Sequence, residues 1–229
     1  MTILRRLHET KGMRIHTTDG DIGHVHDVYL DDADWRVRYF HVDTGRWLGG
    51  RHVLLAPTVV RAVDWDGGRI HVTIGREEVE RCPDIDAHRP VSRQHDVPLD
   101  AYVPLLASVS SWEGDELAAS LHNLLSELRG HEVTAPAAEA TNDPHLWSAR
   151  ALRHYAVEGD HRDLGHLGDF LVDPDGWAIR YLSVDTGGPL RVNRFLVPVS
   201  AVRSLSWQMR QIGVTLDRDS NGAVAASGA

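Results

Sequence analysis

The sequence predicts a mainly β protein: two small β-barrels produced by an internal duplication, joined by a Pro-rich connector that carries one amphipathic helix. Two observations lead there. Residues 21–73 and 163–215 align at a constant offset of 142 without a gap, and 20 of the 53 positions are identical. Each copy is also punctuated as short apolar runs separated by Asp-Gly, Thr-Gly and Gly-Gly turns, with no helical period between them.

The first copy reads as strands over 13–17, 22–30, 37–42, 52–55 and 70–74, and the second repeats this order over 155–217. Several short strands at such close spacing fit a small barrel or a strongly bent antiparallel sheet. The strand at 37–42 has apolar residues on both parities, Val37 and Tyr39 on one face and Phe40 and Val42 on the other. Its counterpart repeats the arrangement with Ile179, Tyr181, Leu182 and Val184. Two apolar faces imply that one fills a barrel and the other meets a neighbour.

The expected domains are a first barrel over 1–82, a connector over 83–144, a second barrel over 145–219 and a disordered tail over 220–229. Prolines break the connector at 83, 90, 98, 104, 136 and 144. Within it, Leu117, Leu121, Leu124, Leu125 and Leu128 recur at helical spacing, which predicts a helix over about 112–129 ending at Gly130. That stripe is a strut against the barrels or an interface.

Composition narrows the function classes. The formal charge is −9, from 33 acidic and 24 basic residues, and Lys11 is the only lysine. Nucleic-acid affinity rests on clustered cations, so nucleic acid is a poor partner for this chain. No apolar run approaches the ~20 residues of a membrane span, so membrane association would be peripheral and through a partner. The amino terminus lacks a signal core, and the single cysteine, Cys82, forms no internal disulfide; together these predict a cytoplasmic protein.

In combination, four stretches of the first copy resemble the PRC-barrel domain: Ile22-Gly23-His24-Val25-His26-Asp27-Val28-Tyr29-Leu30-Asp31, then Trp35-Arg36-Val37-Arg38-Tyr39, then Val42-Asp43-Thr44, then Val53-Leu54-Leu55-Ala56-Pro57. The second copy is similar through Leu164-Gly165-His166-Leu167-Gly168-Asp169 and Trp177-Ala178-Ile179-Arg180-Tyr181. That domain forms the cytoplasmic barrel of the photosynthetic reaction centre H subunit and the carboxy-terminal barrel of a ribosome maturation factor. The resemblance implies a small, strongly bent β-barrel and no particular reaction.

Three constellations could carry chemistry. Asp43-Thr44-Gly45, repeated as Asp185-Thr186-Gly187, matches the paired carboxylates of aspartic proteases, which must share one proton. The lobes are too small for that fold, and a strand-end turn explains the triplets better. His24 and His26 could share one strand face and ligate a metal, although spacing pins no third ligand. Gly23, Asp27, Asp43, Gly165, Asp169 and Asp185 recur in both copies and read as barrel construction, with Asp27 and Asp169 capping backbone donors at a bulge.

These readings predict a non-enzymatic adaptor or scaffold with no cofactor, whose partner is another protein or a second copy of itself. Its expected contact residues are Trp47 on an exposed hairpin, Tyr39, Tyr181 and the leucine stripe. Two alternatives stand beside it: an accessory of photosynthetic or membrane electron transport, and a metal-binding or hydrolytic enzyme. Sites of local function should fall where the copies differ, at His26 against Gly168 and at Trp47 against Pro189.

Overall fold

The computed structural model describes residues 3–94, 141–159, 162–186 and 193–215. The expected helix over 112–129 with its leucines, the Pro189 hairpin and the tail lie outside the described residues. The first half contains β1 (Arg5–Arg6), β2 (Arg14–Thr17), β3 (Gly20–Asp31), β4 (Arg36–Asp43), β5 (His52–Leu55), β6 (Val60–Asp64), β7 (Arg69–Val72) and a short helix α1 (Arg76–Glu80). After it come β8 (His88–Arg89), α2 (Val91–Gln94) and β9 (Thr141–Asn142). The second half contains β10 (Leu146–Ser148), α3 (Ala149–Leu152), β11 (Ala156–Gly159), β12 (Arg162–Asp173), β13 (Ala178–Thr186), β14 (Asn193–Pro198), β15 (Val202–Ser206) and β16 (Gln211–Val214).

The fold is mainly β, and its strand order reads the same from either end: β15-β16-β11-β12-β13-β4-β3-β2-β7-β6. β5 hangs on β4 as β14 hangs on β13. Among the described residues the sheet is open, since β6 and β15 end it without closing onto β5 or β14. Of the expected fold, the mainly β character is met, as an open sheet. β1 and β6 are additions to the predicted strands; the run from Val60 to Asp64 follows Pro57 closely and alternates only weakly, so it reads as a turn.

The described residues before 95 and after 140 belong to one compact unit, with a single large core drawn from both halves. The reason lies in the leading strands. β1 pairs with β12, placing Arg5 opposite Val172 and Arg6 opposite Leu171. β10 pairs with β3, placing Trp147 opposite Leu30 and Ser148 opposite Tyr29. Each half thus lends its first strand to the long strand of the other, and neither long strand is fully paired within its own half.

Both long strands bend at a bulge, which concentrates twist where an extra residue interrupts the ladder. In β3 the extra residue is His26, between Val25 and Asp27; in β12 it is Gly168, between Leu167 and Asp169. Three residues earlier, Gly23 and Gly165 have φ of 150° and 117°. A Cβ would lie 2.0 Å from the Asp43 carbonyl oxygen at Gly23, and 2.3 Å from that of Asp185 at Gly165. Only glycine lets the crossing strand approach so closely.

The two-faced strand β4 divides its apolar residues between two clusters. Val37, Phe40 and Val42 enter the large core. Tyr39 joins Tyr29, Leu54 and Leu146 on the outer face, where Ile85 packs over them. His88 stacks on the Tyr39 ring at 5.2 Å and 17°.

Candidate functional site at the junction of the two halves

Asp27 and Asp169 sit directly after the two bulges and tie the halves together. Asp27 accepts hydrogen bonds from the Val28 N–H at 2.8 Å, from the Arg150 N–H at 3.1 Å and from the Ser148 hydroxyl at 2.6 Å. Asp169 mirrors it, accepting from the Phe170 N–H at 2.8 Å and the His8 N–H at 3.2 Å, with His8 Nδ1 on its other oxygen. His8 and Arg150 are themselves 142 residues apart. Burial pushes the Asp27 carboxyl above the ordinary range, while its three donors pull the other way.

A cleft opens between these two aspartates. Leu7, Val25, Val28, Ala149 and Phe170 form its apolar floor, and Lys11, Arg150 and Arg153 stand at its edge. Arg153 Nε donates to the Gly168 carbonyl at 3.1 Å, and the Arg150 guanidinium donates to His26 Nε2 at 3.0 Å.

His26 leads from the cleft into a group of imidazoles. Its ring lies 4.9 Å from that of His41 and 5.7 Å from that of His52. His41 Nε2 and His52 Nδ1 share a hydrogen bond of 2.8 Å, and the Tyr29 hydroxyl stands 3.4 Å from His41 Nδ1. Burial, then the neighbouring imidazoles and arginines, pull His41 down to about 3 and lower His26 as well. Burial likewise raises Tyr29 to about 12. His41 is therefore neutral near neutral pH, and each ring nitrogen can donate or accept, not both.

The second half does not repeat this group. The positions of His26, His41 and His52 hold Gly168, Ser183 and Arg194. A Cβ at Gly168 would meet the Asp185 carboxylate at 2.3 Å, and Arg194 pairs with that carboxylate at 2.7 Å. His26 alone was singled out in the sequence. His41 and His52 are recognisable only once β4 and β5 are aligned beside the bulge, and at the matched positions of the second half the imidazoles are absent.

The remaining candidates fall in several places. His24 does not join the imidazoles; its Nε2 lies 3.9 Å from Asp43. Among the described residues, no group of three or more His, Cys, Asp or Glu side chains is arranged to hold a metal ion. Asp43 and Asp185 lie toward the far ends of β4 and β13, which are antiparallel and pair only at their first residues. Asp43 accepts the Gly45 N–H at 2.8 Å and Thr44 donates to the Arg51 carbonyl at 2.6 Å, so the triplet builds a turn. The paired carboxylates of a protease do not form.

Trp47 is half-buried rather than exposed, packs on the core and carries the Arg76 guanidinium 5.7 Å above its ring. Burial raises the Cys82 thiol, which weakens it as a nucleophile. No helix among the described residues is long and apolar enough to cross a membrane.

With this geometry in view, the described residues form a mainly β module organised around two bulge aspartates. Residues 3–79 match the PRC-barrel domain family, so the chain carries a PRC-barrel domain in its first half. Among curated proteins none matches the chain.

Proposed function

We propose that the chain is a non-enzymatic cytoplasmic adaptor: two PRC-like halves, the second a diverged duplicate of the first, that bind a protein partner through a surface both halves build. One observation carries this reading. The outer apolar face of the first half, formed by Tyr29, Tyr39, Leu54 and Leu146, is covered by Ile85 and His88. The matched residues of the second half are Leu171, Tyr181, Leu196 and Leu4. All four are half-buried, and among the described residues nothing equivalent covers them.

Ile3, next to Leu4 in the chain, has 74% of its surface exposed. Register supports its continuity, since Leu171 faces Tyr181 and Leu196 faces Ser183, which lies on the same side of β13 as Tyr181. A contiguous apolar face that is only half-buried and has an aromatic centre is a common footprint of a protein contact.

The test places a photo-reactive residue at position 181, with position 39 as the covered control, in the native host. Crosslinks to one protein, or to a second copy of the chain, from 181 and not from 39 are expected. Equal crosslinking from both positions, or none from 181, would contradict the reading. A Leu196→Ser variant should reduce the crosslinked species while leaving the unfolding midpoint within a few degrees of wild type.

A further inference from the structure

We propose that the cleft between the halves binds a small aliphatic carboxylate, its charged end against Lys11, Arg150 and Arg153 and its short chain on the apolar floor. The chain as a whole is acidic, at −9, yet these three cations gather around one cavity. Among the described residues none of the three is paired with a carboxylate. Lys11 and Arg153 are matched positions of the two halves, so the cavity receives one cation from each half at symmetric places.

The two aspartates in the wall form no ion pair with these groups among the described residues, although the Asp27 carboxylate feels the Arg150 charge. The oxygens of Asp27 accept from Val28, Arg150 N–H and Ser148, and those of Asp169 from Phe170 and His8. Each carboxylate thus takes three donors other than the side chains of Lys11, Arg150 and Arg153, and three cations face two carboxylates around the cavity. The guanidinium of Arg150 spends one nitrogen on His26 and Arg153 spends Nε on the Gly168 carbonyl. Their remaining N–H groups, with the Lys11 ammonium, suit a planar anion with two oxygens.

The floor selects for more than charge. Val25 and Val28 come from one half and Ala149 and Phe170 from the other, and with Leu7 they give the cavity an apolar part beside Thr10, His8, His26 and the two aspartates. Its volume of about 50 Å³, roughly a third of a cavity that takes benzene, admits two or three carbons and leaves a carboxylate outside it. A ligand of about six heavy atoms in such a site binds in the millimolar range or somewhat tighter. A free phosphate would meet the cations and leave the floor unfilled.

The experiment titrates the isotopically labelled full chain with sodium butyrate, inorganic phosphate and butylammonium chloride at constant ionic strength, following backbone amide shifts. Butyrate should give saturable shifts at Lys11, His26, Val28, Arg150, Arg153 and Phe170, and the other two probes should give none. Lys11→Gln, at an exposed position that leaves the fold intact, and Arg153→Gln should each weaken butyrate about tenfold. Linear, non-saturating shifts with butyrate would overturn the proposal. So would unchanged affinity in both variants, or phosphate saturating the same residues as tightly as butyrate.

Discussion

Arg36 and Ala178 stand opposite each other where β4 meets β13, and the residues beside them exchange hydrogen bonds reciprocally. The Val37 N–H donates to the Trp177 carbonyl at 2.9 Å, and the Ile179 N–H donates to the Trp35 carbonyl at 2.7 Å. Trp35 and Trp177 share a positive φ, of 54° and 55°. Every member of this set is 142 residues from its counterpart, so the junction is a local two-fold axis. Trp177 then fills the seam, edge-on to Phe40 at 4.7 Å and beside Trp65.

Asp27 should therefore matter to both halves. Asp27→Ala strands the Val28 and Arg150 N–H groups and the Ser148 hydroxyl, and is expected to cost about 3 kcal/mol in urea unfolding. Asp169→Ala should cost a similar amount through Phe170 and His8. Asp27→Asn, which keeps one acceptor oxygen, should cost less than either.

Gly23→Ala puts a methyl group into the Asp43 carbonyl, backbone against backbone, and is expected to lose roughly 3 kcal/mol. The opposite sign is expected at His154, which holds φ at 71° where the first half has Gly12 at 81°. His154→Gly removes the left-handed strain and should stabilise by about 1 kcal/mol, read as a raised unfolding midpoint.

Much of this was legible in the sequence, and for a physical reason. A repeat with a constant offset marks positions that the backbone itself requires, so Gly23, Asp27 and Asp43 stood out with their partners Gly165, Asp169 and Asp185. The exchange of β1 and β10 was not legible, because strands of two and three residues carry no period and their partners lie more than a hundred residues away. Nor were His41 and His52, whose nearness to His26 depends on the bulge and on strand register. Trp47 was misjudged because turn residues imply exposure, whereas Arg76, brought in by α1, covers its ring.

Acid should weaken the fold through His41. Its native pKa lies near 3, below the ordinary histidine value of 6.5, so the unfolded chain binds the proton more readily. The resulting stability is present above pH 6.5 and is lost as pH falls toward the native value. Between pH 7 and 5 the loss from this group is about 2 kcal/mol. Asp27, raised by burial, responds in the opposite sense at lower pH. The comparison is therefore with His41→Gln, whose stability should fall less over the same interval.

The central claim is that the halves exchange their first strands and unfold as one body. The most direct measurement is amide hydrogen exchange on Asp27→Ala alongside wild type, reading protection in β3 and β4 and separately in β12 and β13. Exchange of strands predicts that the substitution lowers protection by the same free energy in all four strands, with one urea transition by every probe. Loss confined to β3 and β4, with β12 and β13 as protected as before, would contradict it.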